Sequence, residues 1–402
     1  MMSVWSSLVG QDAAVAKLSD AAASARAIVA SRGSGRATDE ARSMSHAWLI
    51  TGPPGSGRSV AARAFAAALQ CTGETPGCRA CPGCRTTMGR TNADVLFAAT
   101  ETSIINVDTA RSLVLQAQSS PSQGLWRVIV VEDADRLGES GANALLKAIE
   151  EPPEHTVWLL CAPSPEDMIA TIRSRCRHLG LRIPTAAAVA DLLVREGVAS
   201  PEVALEAARA AQSHIGLARA LARDPQMRER RRAIIPAPAS GRSVGEAVMA
   251  ADRLLETAKA QADAQVSERN AREKAELMRQ LGMEEGESAT KASRTMIRQL
   301  EEDQKRRSKR ALTDAIDRAL IDLLAIYRDV LMVQVGGDGE LINTDLTDLV
   351  RQIADDSTPR QTLARVDHIE TARKRLVANG HPLLVLEDMA ISLRPHAYDP
   401  PA

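Results

Sequence analysis

The run Gly52-Pro-Pro-Gly55-Ser-Gly57-Arg58-Ser59 has the spacing of a phosphate-binding loop, with arginine where lysine is usual. Glycines at Gly52, Gly55 and Gly57 let successive backbone N–H groups turn inward around phosphate oxygens. The positive end of a following helix would add to that attraction. Ser59 is placed to ligate Mg²⁺, and the residue at position 58 to reach the β- and γ-phosphates. Arg58 keeps the charge but presents a planar, bulkier fork, so the change is not conservative. A plain Gly-rich turn between a strand and a helix is the competing explanation.

A second group of residues suits a metal. Cys71-x6-Cys78-x2-Cys81-x2-Cys84 puts four of the chain's six cysteines within one short stretch, with Gly77, Pro82 and Gly83 between them for tight turns. Four thiolates at this spacing can close a tetrahedral zinc site with no position left for substrate, hence a structural one. An iron–sulfur cluster is the rival, but no proline follows the fourth cysteine as in bacterial ferredoxin runs. Zinc ribbons can also bind nucleic acid. Here the nearby cations are only Arg79, Arg85 and Arg90, and no aromatic surface accompanies them.

A third group is acidic. Trp126-Arg-Val-Ile-Val-Val131 ends in Glu132-Asp133, an apolar strand delivering adjacent carboxylates. One would hold Mg²⁺ and the other would activate water. The order Glu then Asp leaves the shorter side chain, Asp133, in the water-activating position.

The elements that must position these groups alternate in type. Ala47 to Ile50 is a short buried strand, and an Ala-rich helix runs on from the loop to Leu69. Strands are expected at 94–97, 126–131 and 156–161, and helices at 107–117, 141–153 and 169–177, the last ending in Ser174-Arg175-Cys176. Alternation of this kind implies a parallel α/β sheet. A helical segment at 4–30 precedes it, and Ser31 to Ser45 reads as a surface loop. Three short helices are expected at 186–196, 201–212 and 215–222. Next come the basic cluster Arg228-Glu-Arg-Arg-Arg232, read as a solvated hinge with contact to DNA phosphates as the alternative, and a linker at Pro236-Ala-Pro238. From Ser243 apolar residues recur at helical spacing, interrupted by a charged segment from Glu268 to Arg310 that breaks at Gly282–Gly286. This pattern predicts a long helical hairpin whose charges are solvated surface. Further helices lie within 340–393, and RPHAYDPPA is a tail.

Composition sets limits. A chain of 402 residues should hold two or three domains, and 45% hydrophobic content supports real cores even though aromatics make up only 2%. Net charge is -1, so no global electrostatic case exists for nucleic-acid or membrane binding. No apolar run is long enough to span a bilayer, and MMSVWSSLVGQDAAVAKL lacks the basic flank and apolar core of a signal peptide. A cytoplasmic protein is expected.

Taken together, GQD (10–12), HAWLITGPPGSGRS (46–59), the cysteine module, VIVVEDADRL (128–137), NALLKAIEEPP (143–153) and SRC (174–176) resemble the AAA+ clamp-loader family of the bacterial replicative DNA polymerase. These motifs cover roughly residues 4–225. RKRLVANGHPLLVLEDMAISL (373–393) is similar to the end of that family's collar domain. The resemblance implies an α/β AAA+ core at 1–183 with the zinc module at 71–84. A three-helix lid would follow at 184–228, then an all-α collar at 229–402 carrying the charged hairpin around 255–310. By the same resemblance Arg175 matches an arginine finger offered in trans to ATP on a neighbouring subunit, and Arg219 a sensor in the lid. Cys161-Ala-Pro-Ser164 stands where the family has paired threonines, a third departure beside Arg58 and the Glu132-Asp133 order.

The implied cofactors are structural zinc and, at Gly52, Gly55, Gly57, Arg58, Ser59, Glu132, Asp133 and Arg219, a degenerate ATP/Mg²⁺ site. The implied partners are tau/gamma-type ATPase subunits, a delta subunit, the sliding clamp and, through the complex, primer–template DNA. Three readings compete: a non-hydrolysing ring subunit donating Arg175, an active ATPase motor with Arg58 in place of lysine, and a zinc-bearing nucleic-acid module. The three departures favour the first over the second, and near-neutral charge disfavours the third.

Overall fold

The computed structural model describes residues 3–31, 43–98, 105–234, 237–241, 243–281, 291–337 and 339–394. The expected break at Gly282–Gly286, most of the 31–45 loop, Pro236 and all but the first residue of the tail lie outside them. The chain divides into two compact units, Met1–Arg219 and Ala220–Ala402.

In the first unit five strands form one parallel sheet: β1 (Ala47–Thr51), β2 (Val95–Ala98), β3 (Arg127–Val131), β4 (Thr156–Ala162) and β5 (Arg177–Gly180), in the order β2-β3-β4-β1-β5. Every residue of β1 and β4 is buried. Helices therefore cover both faces of the sheet, which is what an unalternating apolar strand requires. Helices α1 (Asp12–Ser31) and α2 (Arg58–Leu69) pack on one face with Trp48, Ile50, Val128, Val130 and Leu159. Trp48 meets Phe65 of α2 edge-on at 5.3 Å between ring centroids. Helices α4 (Val107–Ala117) and α5 (Glu139–Glu150) cover the other face over Leu49, Ile129, Trp158 and Leu160. Because all strands run one way, the phosphate loop after β1 and the acids after β3 emerge on one edge. Only β4 separates them, so they lie about 10 Å apart.

Helix α5 stops before Pro152-Pro153, as proline demands of the residues preceding it. Two elements differ from expectation. Arg177–Gly180 is an edge strand with a single buried side chain, Leu179, so its sequence carries no apolar run. The second half of the cysteine module is a helix, α3 (Pro82–Met88), opened by Cys81 as N-cap and Pro82 at its first turn. The remaining helices before the division are α6 (Ala170–Arg173), α7 (Ala186–Arg195), α8 (Pro201–Ala210) and α9 (Ile215–Arg223), which reaches just past it.

The second unit is helical: α10 (Pro225–Ile234), α11 (Ala237–Ser240), α12 (Val244–Gln280), α13 (Lys291–Gln334), α14 (Thr347–Asp355), α15 (Pro359–Val377) and α16 (Pro382–Leu393). Its core joins Leu254 and Leu255 of α12 to Ile316, Leu320, Leu323 and Tyr327 of α13, with Ile369, Leu386 and Met389 from the last two helices. Beyond a small cluster of Ala262, Val266 and Ala311, the paired α12 and α13 are held by polar contacts. Gln304 and Arg307 reach Asn270, and Arg307 pairs with Glu273 at 2.8 Å. Most charges there are solvated as expected, but Arg307 is only 11% exposed.

The basic cluster is helical, and one of its arginines, Arg231, is withdrawn from solvent. Residues 228–232 belong to α10, and the Arg231 side chain is 8% exposed between Asp322 at 3.3 Å and Asn343 at 2.9 Å. Asn343 in turn donates to buried Asp329. Burial pushes the Asp322 carboxyl above its usual range, against the pull of Arg231. Removing one member of such a pair strands the other. Arg231→Ala should therefore cost about 3–5 kcal/mol, whereas replacing Arg231 and Asp322 together by Met and Leu should cost less, as denaturant melts would show.

Asp94, fully buried, closes the turn before β3: its carboxylate accepts from the N–H groups of Ser122 (2.6 Å), Gln123 (2.7 Å) and Gly124 (2.6 Å). Burial alone would raise its pKa, but these donors outweigh it and hold the carboxyl below the usual range. A depressed folded pKa means this stabilisation is present above the unfolded value, about 3.9, and is lost as pH falls through the folded one. Asp94→Ala should lower stability by about 3 kcal/mol at neutral pH. In acid the gap between the two proteins should close, and equal neutral-pH melting curves would refute the assignment.

Candidate functional site

The four cysteine sulfurs lie within 4.8 Å of one another. Cys71 and Cys78 sulfurs are 3.6 Å apart, and Cys71 and Cys81 sulfurs 3.8 Å. Thiolates at tetrahedral zinc distances would stand about 3.8 Å apart, so the cluster could hold one ion without rearrangement. The backbone shapes it. A Cβ on Gly73 would lie 2.7 Å from the Cys78 sulfur. The N–H groups of Cys81 and Cys84 point at the sulfurs of Cys78 and Cys81, each at 3.4 Å. Burial alone would raise the Cys81 thiol, but backbone donors from Cys84 and Thr72 bring it down to about 6. Burial pushes the Cys84 thiol up.

In the phosphate loop Gly52 and Gly57 have φ of +157° and +90°, and a Cβ on Gly52 would meet the Ser56 hydroxyl at 2.5 Å. Helix α2 starts at Arg58 with no side-chain cap on its first turn, leaving its leading N–H groups for another acceptor. Among the described residues the Ser56 hydroxyl, in a residue 3% exposed, has no hydrogen-bond partner, and neither has the buried Nη1 of Arg58. Ser59 stands half-buried in that first turn. These orphaned donors fit a polyphosphate.

The loop is braced from two sides that the sequence did not flag. Gln11 donates to the carbonyl of Ser56 at 3.3 Å and of Arg182 at 2.5 Å, tying the loop to the chain leaving β5. Gly55 packs under His214, whose Cα lies 3.1 Å from where a Cβ would stand. The GQD motif thus has a structural task.

The acids do not present a vacant metal position. Arg90, in the turn after α3, donates to Glu132 at 2.5 Å, and the Glu132 side chain is 12% exposed. The charges of Arg58, Glu132 and Asp133 all act on the thiol of Cys161, which places them in one neighbourhood. Burial dominates there and pushes Cys161 up to about 12. Burial also raises Asp135, with Asp133 adding to it and Arg58 opposing. So the residues suit phosphates but do not suit Mg²⁺ at Glu132.

Arg175 and Arg219 are each paired with a carboxylate of the first unit. Arg175, 38% exposed just past α6, pairs with Glu150 and donates to the carbonyl of Thr171 at 2.8 Å. Arg219 forms a forked pair with Glu196 at 2.8–3.0 Å. Ser164 is engaged locally, accepting from the N–H of Glu166 at 3.1 Å, while the Pro163 carbonyl accepts from Gly52 N–H at 3.1 Å. Among the described residues no helix is long and apolar enough to cross a membrane.

Residues 36–185 match the family described as DNA polymerase III, delta subunit. Over 162 residues the chain is 35% identical to the DNA polymerase III subunit gamma/tau of Mycobacterium tuberculosis, covering 39% of this chain and 28% of that protein. It is 34% identical over 165 residues to subunit delta' of Pseudomonas aeruginosa, covering 40% of this chain and 50% of that one. With subunit delta' of Escherichia coli it is 34% identical over 182 residues, 44% of this chain and 54% of the relative. The chain therefore spans between about a quarter and a half of the curated relatives it matches. That stretch holds the phosphate loop, the cysteine cluster and the strand-end acids, and it is there that the chain is similar to DNA polymerase III delta, delta' and gamma/tau subunits.

Proposed function

We propose that this chain is a delta-prime-type subunit of the clamp loader, a largely non-hydrolysing member of the ring. It would supply Arg175 to ATP bound by a neighbouring tau/gamma-type subunit during loading of the sliding clamp onto primer–template DNA. In this reading residues 1–183 are the AAA+ core, 184–228 the lid and 229–402 the collar that assembles with the other subunits, a delta subunit among them. Residues Gly52, Gly55, Gly57, Arg58, Ser59, Glu132, Asp133 and Arg219 are the relic of an ATP site in cis.

The observation that carries this reading is the setting of Arg175. It stands at the surface, and its carboxylate partner, Glu150, is itself 41% exposed. Such pairs contribute about 0–1 kcal/mol, so turning the guanidinium toward a γ-phosphate next door costs little. A permanent forked cation is the group that stabilises charge developing on a transferring phosphoryl. In cis the opposite holds: position 58 lacks the lysine, and Glu132 is already bound to Arg90.

In the assembled loader, Arg175→Ala should cut turnover at the adjoining site by about a hundredfold or more while the subunits still co-elute. The chain by itself should hydrolyse ATP negligibly. Unchanged loader turnover in the variant would remove the finger role. Brisk hydrolysis by the lone chain, abolished by Arg58→Ala, would establish the motor reading instead.

The cysteine cluster is proposed as a structural zinc site, its Cys71, Cys78, Cys81 and Cys84 thiolates filling all four positions. Elemental analysis should find one zinc per chain. Acidification should release it, because each sulfur must gain a proton to let go. Cys84→Ser should lower both metal content and melting temperature. Iron in place of zinc, or no metal at all, would overturn the assignment.

A further inference from the structure

Arg90 is held in place from three sides. It follows α3, whose N-cap is Cys81, and takes the left-handed backbone φ of +59°, its N–H bonding the Thr87 carbonyl at 3.1 Å. Its guanidinium lies over the Phe97 ring of β2 at 5.0 Å from the centroid. From there it reaches Glu132, the first carboxylate beyond β3, at 2.5 Å. Arg63, one turn along α2 from Ser59, is the second cation present: Arg90 and Glu132 are the charges that act on it, and its buried Nε has no acceptor. Arg58 supplies the third guanidinium, with Nη1 likewise unpartnered.

Three fixed cations thus face a strand end whose metal-binding carboxylate is already taken. A divalent ion entering here must displace Arg90 from Glu132 and then sit beside the guanidinium it displaced. A polyphosphate without its metal meets the reverse situation. It brings acceptors for the unpartnered Arg58 Nη1 and Arg63 Nε, and for the Ser56 hydroxyl and the uncapped start of α2.

We infer that Arg90 takes the place of the divalent cation in this site, so that the loop binds a nucleoside triphosphate without magnesium. The inference rests on reading Gly52–Ser59 as a phosphate cradle and is independent of the role proposed for Arg175. The arrangement also explains how a nucleotide could be held without being hydrolysed. No metal bridges its β- and γ-oxygens, and no carboxylate at position 132 is available to recruit one.

The test is a titration of the full zinc-loaded chain with a fluorescent ATP analogue. It is run in buffer freed of divalent cations over a chelating resin, and again with magnesium added. Wild type should bind at least as tightly in the divalent-free buffer as with magnesium, because magnesium ties up the free triphosphate that the site takes. Arg90→Ala and the longer Arg90→Gln, each checked for zinc content and unchanged circular dichroism, should bind at least about tenfold more tightly with magnesium than without. Wild-type binding that requires magnesium, or variants indifferent to it, would overturn the role of Arg90. Absence of binding by wild type in both buffers would overturn the cradle itself and leave the Arg175 experiment untouched.

Discussion

A parallel sheet delivers the ends of its strands to one edge, and the chemistry of the first unit follows from the charges gathered there. β1 and β3 flank β4, so the phosphate loop and the Glu132-Asp133 pair are neighbours by topology and not by any contact of their own. An edge carrying several ionised groups with little water must balance them internally. Here the balance is struck by arginine. The charge of Arg58 acts on Asp135 and Cys161, that of Glu132 acts on Arg63, and Arg90 pairs directly with Glu132. A permanently charged planar cation cannot leave or exchange as a metal ion does. The site therefore trades adjustability for a fixed electrostatic arrangement.

The cysteine module is part of that arrangement. Cys71 follows the end of α2, Cys84 lies within α3, and the turn after α3 carries Arg90, so one short excursion links the phosphate-loop helix to the acid after β3. The excursion is pinned to the sheet by Gln70, whose side chain bonds the carbonyl of Trp126 and accepts from the N–H of Leu125. Gly83 passes so close to the Gln70 carbonyl that a Cβ there would stand 2.0 Å from it. A metal at the four sulfurs would stiffen this excursion more than hydrophobic packing alone can, given its mix of glycine, proline and charge.

Elements whose own residues demand burial were legible from the sequence. β1, β3 and β4 are apolar but for one terminal residue each, and α4 and α5 carry periodic apolar faces, α5 stopped by proline. Elements defined by their partners were not. β5 exists because β1 offers it a ladder, and only Leu179 turns inward. The site shows the same division. Glycine spacing and cysteine spacing are local patterns, so the cradle and the sulfur cluster could be foreseen. Arg90 and Glu132 meet across 42 residues, and Gln11 and Arg182 across 171, with nothing in either segment naming the other. Arg231 misled for the same reason. Three successive arginines suggest solvent, and only the fold brings Asp322 and Asn343 to one of them.

The contrast among the arginines bears on the proposed division of labour. Arg231 and Arg90 are committed, each to a carboxylate little exposed to water, and moving either would leave a buried or half-buried charge behind. Arg175 and Arg219 are held by carboxylates 41% and 36% exposed, where water can take over both partners. Arg175, the cation that the proposed function asks to respond to a neighbour's nucleotide, is thus among those able to change partner at small cost. The cation at Glu132 is fixed. A subunit built this way would sense its neighbour's phosphates without reorganising its own loop, because rearranging the Arg90–Glu132 pair costs desolvation whereas releasing Arg175 does not.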